Sequence, residues 1–252
     1  MLHRLAPVIT VIAILVVWEL LTYLFKVRES FLPSPSAIVR AAQTVSPEEW
    51  FTHLTSTIRV ALSGYAISIV ISIPLAVALA LSPVLSRAIY PILVVISTTP
   101  IVAVAPIIIV ILGIGDFPRI VITTTISFFP LVLSTTTGIL LTPEELLELS
   151  RSLRATRMRE VLHIRLPYAI PHIFSGLKIS ITLAVIGAVV GEFVAGDKGL
   201  GYAIMFTTST YKVALSFAML GALVLTSLAL FNLISLVQKL FFPWSLPRVV
   251  SH

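Results

Sequence analysis

Six runs of about 20 or more mostly apolar residues constrain the fold of this chain more than any other feature, because each is long enough to cross a bilayer. Hydrophobic residues make up 58% of the chain and charged residues 11%, whereas about a quarter of a soluble domain is charged. In lipid, a helix satisfies its backbone amide and carbonyl groups with its own hydrogen bonds. The sequence therefore predicts an all-α membrane protein with about six transmembrane helices in one domain, residues 1–252. The runs cover residues 7–25, 58–81, 89–112, 120–141, 173–195 and 213–241.

Several of these runs contain prolines, which a spanning helix tolerates only when neighbouring helices or hydroxyls satisfy the freed carbonyls. The pattern therefore favours a packed bundle over isolated anchors. The fourth run is also rich in serine and threonine, which can bond helix to helix or line a polar path. The prolines concerned are Pro74, Pro100, Pro106 and Pro130.

The distribution of basic residues predicts how the chain is oriented. With both termini in the cytoplasm, ten of the 17 lysines and arginines lie inside, among them Arg4 and Arg248 at the two ends. The remaining seven then lie outside, so the positive-inside rule favours this orientation. We expect a multi-pass protein of the bacterial inner membrane. Between the first two runs, a short surface helix is predicted over residues 35–45, after the turn formed by Pro33, Ser34 and Pro35.

A polar block over residues 142–172 separates the fourth and fifth runs. Thr142, Pro143 and Glu145 predict an N-cap, a proline at the first helical position and a capping-box acid. Thr156 can cap a second short helix, which Pro167 is expected to end. Helices this short need a packing partner. Three leucines share one face of the first helix, so it either binds a partner or lies on anionic lipid head groups. They are Leu146, Leu149 and Leu153.

The block resembles the EAA loop of the membrane subunits of bacterial ABC importers, which has the pattern Glu-Ala-Ala, three residues, Gly, nine residues, Ile-x-Leu-Pro. Glu148 occupies the acid, and Ile164, Leu166 and Pro167 end the motif at the same spacing. Leu149 and Ser150 replace the two alanines. Further similarity lies in LPSPSAI before the second run, in FFP at 128–130 and in GEFVAGDKGLGYAI at 191–204. Together these segments resemble the permeases of the nitrate, sulfonate and taurine importer family.

The resemblance implies a type I ABC importer permease fold with a cytoplasmic coupling loop between spans 4 and 5. It implies two copies of a separate ATP-binding subunit, an extracytoplasmic solute-binding protein and a second permease copy, in a homodimer. ATP and Mg would act in the ATP-binding partner, and this chain would bind no cofactor and would not be an enzyme. The residues expected to couple to the ATPase are Leu146, Glu148, Leu149, Ser150, Arg151, Leu153, Arg154 and Arg157.

Arg154 stands where the family usually has glycine. Glycine reaches left-handed backbone angles freely, so an arginine in the same elbow would cost about 1 kcal/mol or would force another turn.

The sequence lacks the motifs of nucleotide-binding, metal-binding and nucleic-acid-binding sites. Gly191 and Gly196 have the spacing of a phosphate-binding loop, but Asp197 occupies the lysine position and no hydroxyl residue follows. A dinucleotide fingerprint fails because a third glycine is missing after Gly199 and Gly201; we expect a re-entrant turn or short helix there instead. The five histidines include no helical pair at metal-ligand spacing, and the basic residues form no stripe for nucleic acid.

An acid inside an apolar run is costly, and such residues tend to face a cavity or a partner. Glu192 is therefore a candidate for the translocation path or outer gate, with a structural hydrogen bond as the alternative. The other candidate path residues are Thr98, Thr99, Ser127, Ser180 and Thr182, for each of which helix packing is the alternative.

The expected function is that of a subunit translocating a small solute. The resemblance admits anions such as nitrate, sulfonates and taurine, and ring compounds such as pyrimidine precursors or riboflavin, with some preference for the ring compounds. Two alternatives remain at this point: an ion-coupled secondary transporter that uses Glu192, and a membrane scaffold without transport activity.

Overall fold

The computed structural model describes the backbone of residues 2–246 and the side chains of residues 8–246. Arg4 and Arg248, which enter the predicted orientation, lie outside the described side chains. Within this range the chain is helical and contains no strand. The helices are α1 (Leu2–Leu24), α2 (Pro35–Gln43), α3 (Pro47–Leu81), α4 (Pro83–Thr98), α5 (Ile101–Leu112), α6 (Asp116–Leu140), α7 (Glu144–Ser152), α8 (Arg157–Glu160), α9 (Leu166–Ala195), α10 (Leu200–Ser209) and α11 (Val213–Phe241).

Four helical segments in the described residues are long and apolar enough to cross a membrane: Pro47–Leu81, Asp116–Leu140, Arg157–Ala195 and Val213–Phe241. A fifth span is possible if α4 and α5 count as one broken crossing. In α1, the described apolar stretch Val8–Leu24 is shorter. The all-α membrane class is confirmed, and these helices are compatible with the predicted six spans.

The predicted third span, residues 89–112, is wrong as a continuous helix. The chain bends by 95° between α4 and α5. Thr99 has extended backbone angles, φ −70° and ψ 123°, and Pro100 follows it. Proline lacks an amide hydrogen and disfavours helical angles in the residue before it. The other three prolines noted in the sequence lie inside helices, so Pro100 alone among them separates two helices.

The chain forms two compact units. The first unit contains the chain up to Thr57 together with Gly196–Thr226. Within it, α2 confirms the predicted surface helix and begins after Ser34, whose hydroxyl accepts the Ala37 amide. The Glu19 carboxylate accepts hydrogen bonds from the backbone amide and hydroxyl of Ser36, at 3.0 and 2.7 Å. These bonds join α1 to the start of α2.

The short helix predicted before the last span is also confirmed, as α10 in the first unit. Its first amides are satisfied by side chains of α3. The Gly199 amide donates to His53 Nδ1 at 3.1 Å, and the Leu200 amide donates to Thr57 Oγ1 at 2.8 Å. A helix start otherwise leaves such amides without intrahelical partners, so these two side chains fix the position of α10.

The second unit contains Ile58–Ala195 and the chain from Ser227 onward. Its centre is the packing of α6 against α9, which small residues allow to approach closely. A Cβ placed on Gly138 would lie 2.6 Å from the His172 Cβ, and one on Gly187 would lie 2.7 Å from the Thr123 Cα. Since real Cβ atoms do not approach other atoms this closely, glycine is required for the observed separation.

Candidate functional site

The predicted coupling loop lies in the second unit, between α6 and α9. Helix α7 follows Pro143, whose angles are not helical. The predicted cap at Thr142 is wrong: its hydroxyl donates to the Ile139 carbonyl at 2.9 Å, in the last turn of α6. The hydroxyl is buried against that preceding helix, so it is not available to the amides of α7.

Helix α7 presents two different faces. Leu147 and Ser150 are buried and attach the helix to the rest of the unit. The three leucines that share the other face are 38%, 58% and 74% exposed at Leu146, Leu149 and Leu153. Glu148 and Arg151 are exposed as well. The sequence did not single out Leu147, because the i, i+3, i+7 leucine pattern covers the outward face of the same helix.

Arg154 adopts the left-handed conformation, with φ 52°. The Ala155 amide donates to the Ser150 carbonyl at 3.0 Å, and the Arg154 amide donates to the Arg151 carbonyl at 2.9 Å. This pair of bonds is the Schellman ending of a helix, in which glycine usually occupies the left-handed position. Of the two outcomes expected for arginine here, the structure has the strained elbow and not a different turn.

The second half of the loop begins as predicted. The Thr156 hydroxyl accepts the Arg159 amide at 3.4 Å and caps α8. The expectation that Pro167 ends this helix is wrong, because Arg157–Ala195 is one continuous helical segment. A π-helical turn covers Val161–Arg165, and the Leu166 amide donates to the Val161 carbonyl. Such a turn widens the helix, which accommodates the proline ring that would otherwise meet the carbonyl four residues earlier.

Ser127 and Ser180, two of the candidate path residues, lie in a buried layer between helices. The Ser180 hydroxyl donates to the Ser127 carbonyl at 2.6 Å, and the Ser127 and Ser68 hydroxyls are 2.6 Å apart. These bonds connect α3, α6 and α9. Thr182 is partly exposed, and its hydroxyl donates to the Lys178 carbonyl of its own helix at 3.2 Å.

The other two threonines of the candidate path lie at the helix break. Thr98 and Thr99 are exposed, and both hydroxyls donate to the Val95 carbonyl. Thr99 borders a cavity of about 240 Å³. Three hydroxyl side chains and Phe129 line this cavity together with aliphatic residues and Pro130, and none of its described lining residues is charged. The hydroxyl residues are Ser97, Thr99 and Thr125.

Glu192 lies near the end of α9 and is 1% exposed. The residue before it, Gly191, packs on Arg119, where an added Cβ would be 3.0 Å from Arg119 Cγ. Arg119 is itself buried; its Nε donates to the Gly115 carbonyl at 3.1 Å, and a terminal guanidinium nitrogen lies 3.6 Å from Asp116. Asp116 also pairs with Arg59 of α3.

The sequence analysis used Arg59 and Arg119 only to predict the orientation of the chain in the membrane. It did not predict that both arginines lie beside Asp116. The detectable signal was the spacing of Asp116 and Arg119, three residues apart at the start of an apolar run, which places them on one helix face.

A third feature is a larger cavity of about 510 Å³ beside the coupling loop. It lies between the loop and the connection from α3 to α4. Three arginines and one glutamate contribute to its lining. They are Arg151, Arg157, Glu160 and Arg165.

The long apolar helices define a multi-pass membrane protein, and its family identifies it as a subunit of the transport class. Residues 68–246 match the family model described as the binding-protein-dependent transport system inner membrane component. The chain belongs to this family, and it is a permease subunit of the ABC importer class.

Three relatives that align with nearly the whole chain are also transport permease proteins. The formylaminopyrimidine transport permease protein ThiX of Halalkalibacterium halodurans is 31% identical over 242 residues, which cover 96% of each protein. The riboflavin transport system permease protein RibX of Chloroflexus aurantiacus is 33% identical, over 94% of this chain and 88% of the relative. The taurine transport system permease protein TauC of Escherichia coli is 25% identical, over 93% and 88%.

Among solved structures, the MetNI methionine ABC transporter in inward-facing conformations has a chain that matches with a TM-score of 0.66 at 20% identity. The match covers 81% of this chain and all of that one. This likeness shows a shared permease fold.

Proposed function

We propose that the exposed leucine face of α7 docks on a separate ATP-hydrolysing subunit and transmits its motion to the membrane helices. The observation that carries the proposal is the combination of an apolar outward face with a hydrogen-bonded elbow. Leu149 and Leu153 are mostly exposed although they are apolar, while Leu147 anchors the same helix from behind. Apolar cores surrounded by polar rims are typical of protein interfaces. Glu148 and Arg154 would form the exposed rim, with Ser150 beneath it, while Arg151 and Arg157 line the cavity beside the loop.

The assembly that this function requires follows from the family. It would contain two ATP-binding subunits, a second copy of this permease in a homodimer, and an extracytoplasmic solute-binding protein. ATP and Mg would act in the partner subunits, with no cofactor on this chain. The loop must then face the cytoplasm, which places both termini inside in the bacterial inner membrane. When the two ATP-binding subunits close on each other, they would favour one of two conformations of the permease and so shift it from the other.

For the solute, we propose a small uncharged ring compound that passes the cavity at the helix break. Broken helices line solute sites in many transporters, where carbonyls at one helix end and amides at the other face the path. The described lining offers hydroxyls and an aromatic ring but no cation to hold an anion. Its volume of about 240 Å³ lies below the range of drug-sized pockets. The pyrimidine and riboflavin permeases among the relatives support ring compounds as substrates.

Coupling can be tested by changing a single leucine. The permease is co-expressed with the ATP-binding subunit and binding protein encoded beside it, and is then reconstituted into liposomes. Leu149→Ser is expected to reduce retention of the ATPase subunit about tenfold or more, because an interface hot spot is worth at least about 1 to 2 kcal/mol, and to abolish ATP-driven uptake. Leu140→Ser is the matched control, since Leu140 is 60% exposed but lies at the end of α6, outside the loop.

Three results would oppose the coupling proposal. Equal retention and uptake in both variants would indicate that α7 does not carry the ATPase. Uptake that persists without the ATPase subunit and follows an ion gradient would indicate a secondary transporter. Absence of uptake from the complete, ATP-hydrolysing wild-type complex would indicate a scaffold.

The solute proposal has its own test. The neighbouring binding protein is screened with aminopyrimidines, nitrate and taurine by thermal shift. A ring compound should bind, and Phe129→Ala in the permease should lower its uptake without changing the affinity of the binding protein. Specific binding of nitrate or taurine alone would overturn the assignment.

A further inference from the structure

The cavity beside the coupling loop has two chemically different walls. One wall is apolar and comes from the end of α3 and the start of α4, with Ala80, Leu81 and Pro83. The other wall comes from the predicted coupling loop and carries the three arginines and Glu160. At about 510 Å³ the cavity is roughly twice as large as the one at the helix break. Nothing in the coupling function requires a cavity behind the docking face.

The charges of the polar wall are only partly balanced. Arg165 pairs with Glu160 at 2.7 Å, and both side chains are largely buried. Arg151 pairs with Glu144 at 3.1 Å, but both partners are exposed, so the pairing is weak. The Arg157 side chain makes no hydrogen bond or ion pair with the described residues, although its backbone carbonyl accepts the Val161 amide. The lining therefore has three positive charges and one negative charge, which favours an acidic ligand.

Guanidinium groups match phosphate oxygens in geometry as well as in charge. The apolar wall adds a second requirement, because Leu81 and the nearby Val84 expose hydrocarbon at the ends of two apolar helices. A ligand that satisfies both walls has a phosphate group and an acyl chain. Basic pockets beside membrane helices hold acidic head groups for the same reason.

We propose that this cavity binds the head group of an anionic phospholipid, which joins the back of the coupling loop to the membrane. The lipid phosphodiester contacts Arg157 and Arg151, and the acyl chains extend along Leu81 and Val84. The bound lipid is not the transported solute. It holds the elbow against the α3–α4 connection while the leucine face remains free for the ATPase subunit.

Binding can be measured on the full-length permease alone, by native mass spectrometry in detergent with phosphatidylglycerol or phosphatidylcholine added. Phosphatidylglycerol should bind in preference to phosphatidylcholine. Arg157→Gln should weaken phosphatidylglycerol binding about fivefold, since each arginine near an anionic surface contributes about that factor. Arg157→Lys should retain most of the binding. Arg154→Gln is the control, because Arg154 is exposed on the same elbow and does not line the cavity.

Three outcomes would overturn the proposal. Equal losses in Arg157→Gln and Arg154→Gln would show that total charge, not this cavity, attracts the lipid. Equal binding of the two lipids would show that the arginines do not select the head group. Displacement of phosphatidylglycerol by excess inorganic phosphate would identify a free phosphate as the ligand. None of these measurements involves ATP or uptake, so they separate this proposal from the coupling function.

Discussion

The Ala155 amide donates to the Ser150 carbonyl at 3.0 Å, across a left-handed Arg154. This bond closes α7 and determines the direction in which the chain leaves it. A left-handed backbone is unfavourable for arginine, which has a Cβ, but not for glycine. The elbow geometry therefore lowers the stability of the protein locally.

Arg154→Gly should therefore stabilise the permease. We expect a gain of up to about 1 kcal/mol, since the hydrogen bonds stay and the strain of a left-handed backbone in a residue with a Cβ disappears. The measurement is the apparent Tm of the detergent-solubilised protein. Arg159→Gly, at an exposed position in the right-handed α8, should instead lower the Tm. Destabilisation of similar size in both variants would show that Arg154 is not strained.

Gly187→Ala should destabilise the α6–α9 contact. The new methyl group would lie 2.7 Å from the Thr123 Cα, a backbone atom that cannot rotate away. Overpacking of this kind costs about 1 to 3 kcal/mol. Gly221→Ala in α11 is the matched control, since no atom of the described residues outside its own helix lies within 4 Å of the added Cβ, and alanine there should be neutral or stabilising. Comparable unfolding midpoints for the two variants would contradict the close packing.

Ser127→Ala should reduce stability modestly. It removes the contact to the Ser68 hydroxyl, and buried hydroxyl bonds between membrane helices average about 0.6 kcal/mol. The control is Ser235→Ala, since the Ser235 hydroxyl is partly exposed and, among the described residues, bonds only to the Phe231 carbonyl of its own helix. A role in packing predicts a lower unfolding midpoint with unchanged solute preference. A changed uptake preference without loss of stability would favour the role in the translocation path.

Pro100→Ala should straighten the α4–α5 pair, because it restores an amide that can bond to the Ile96 carbonyl. The chain contains no cysteine, so spin labels can be placed at the exposed Ile92 and Ile107. At a rise of 1.5 Å per residue, their backbones would be about 22 Å apart in a straight helix and about 15 Å apart across a right-angled bend. Pro106→Ala, inside α5, should leave the distance unchanged. An unchanged distance in Pro100→Ala would mean that packing, and not the proline, maintains the break.

Local chemistry made several parts of this fold predictable. The turn at Pro33, Ser34 and Pro35 marked the start of the surface helix, and in the structure the Ser34 hydroxyl caps that helix, an interaction that acts within a few residues. The apolar runs specified helices for the same local reason. Thr142 was misassigned because its hydroxyl could serve either neighbouring helix, and in the structure it bonds to the Ile139 carbonyl at the end of α6.

Features that depend on contacts distant in sequence could not be predicted in this way. Ser127 and Ser180 were predicted to line a translocation path. In the structure the Ser180 hydroxyl bonds to the Ser127 carbonyl, and the two residues are 53 positions apart, so no local sequence pattern indicates this bond. Arg119 was assigned to an outer segment from its charge. In the structure it is buried where α6 packs on Gly191. The π turn before Pro167 likewise depends on how the loop joins α9, since a proline alone signals the end of a helix.

The sequence by itself determined the class of this protein, since long apolar runs admit only helices in lipid, and it predicted a coupling loop through the leucine pattern and the motif. Only the tertiary structure decided which hydroxyls join helices, that α4 and α5 part by 95°, and that an arginine cavity lies behind the loop. The physical reason is range: capping and burial in lipid act on neighbouring residues, whereas packing and cavities arise from side chains that only the folded chain brings together.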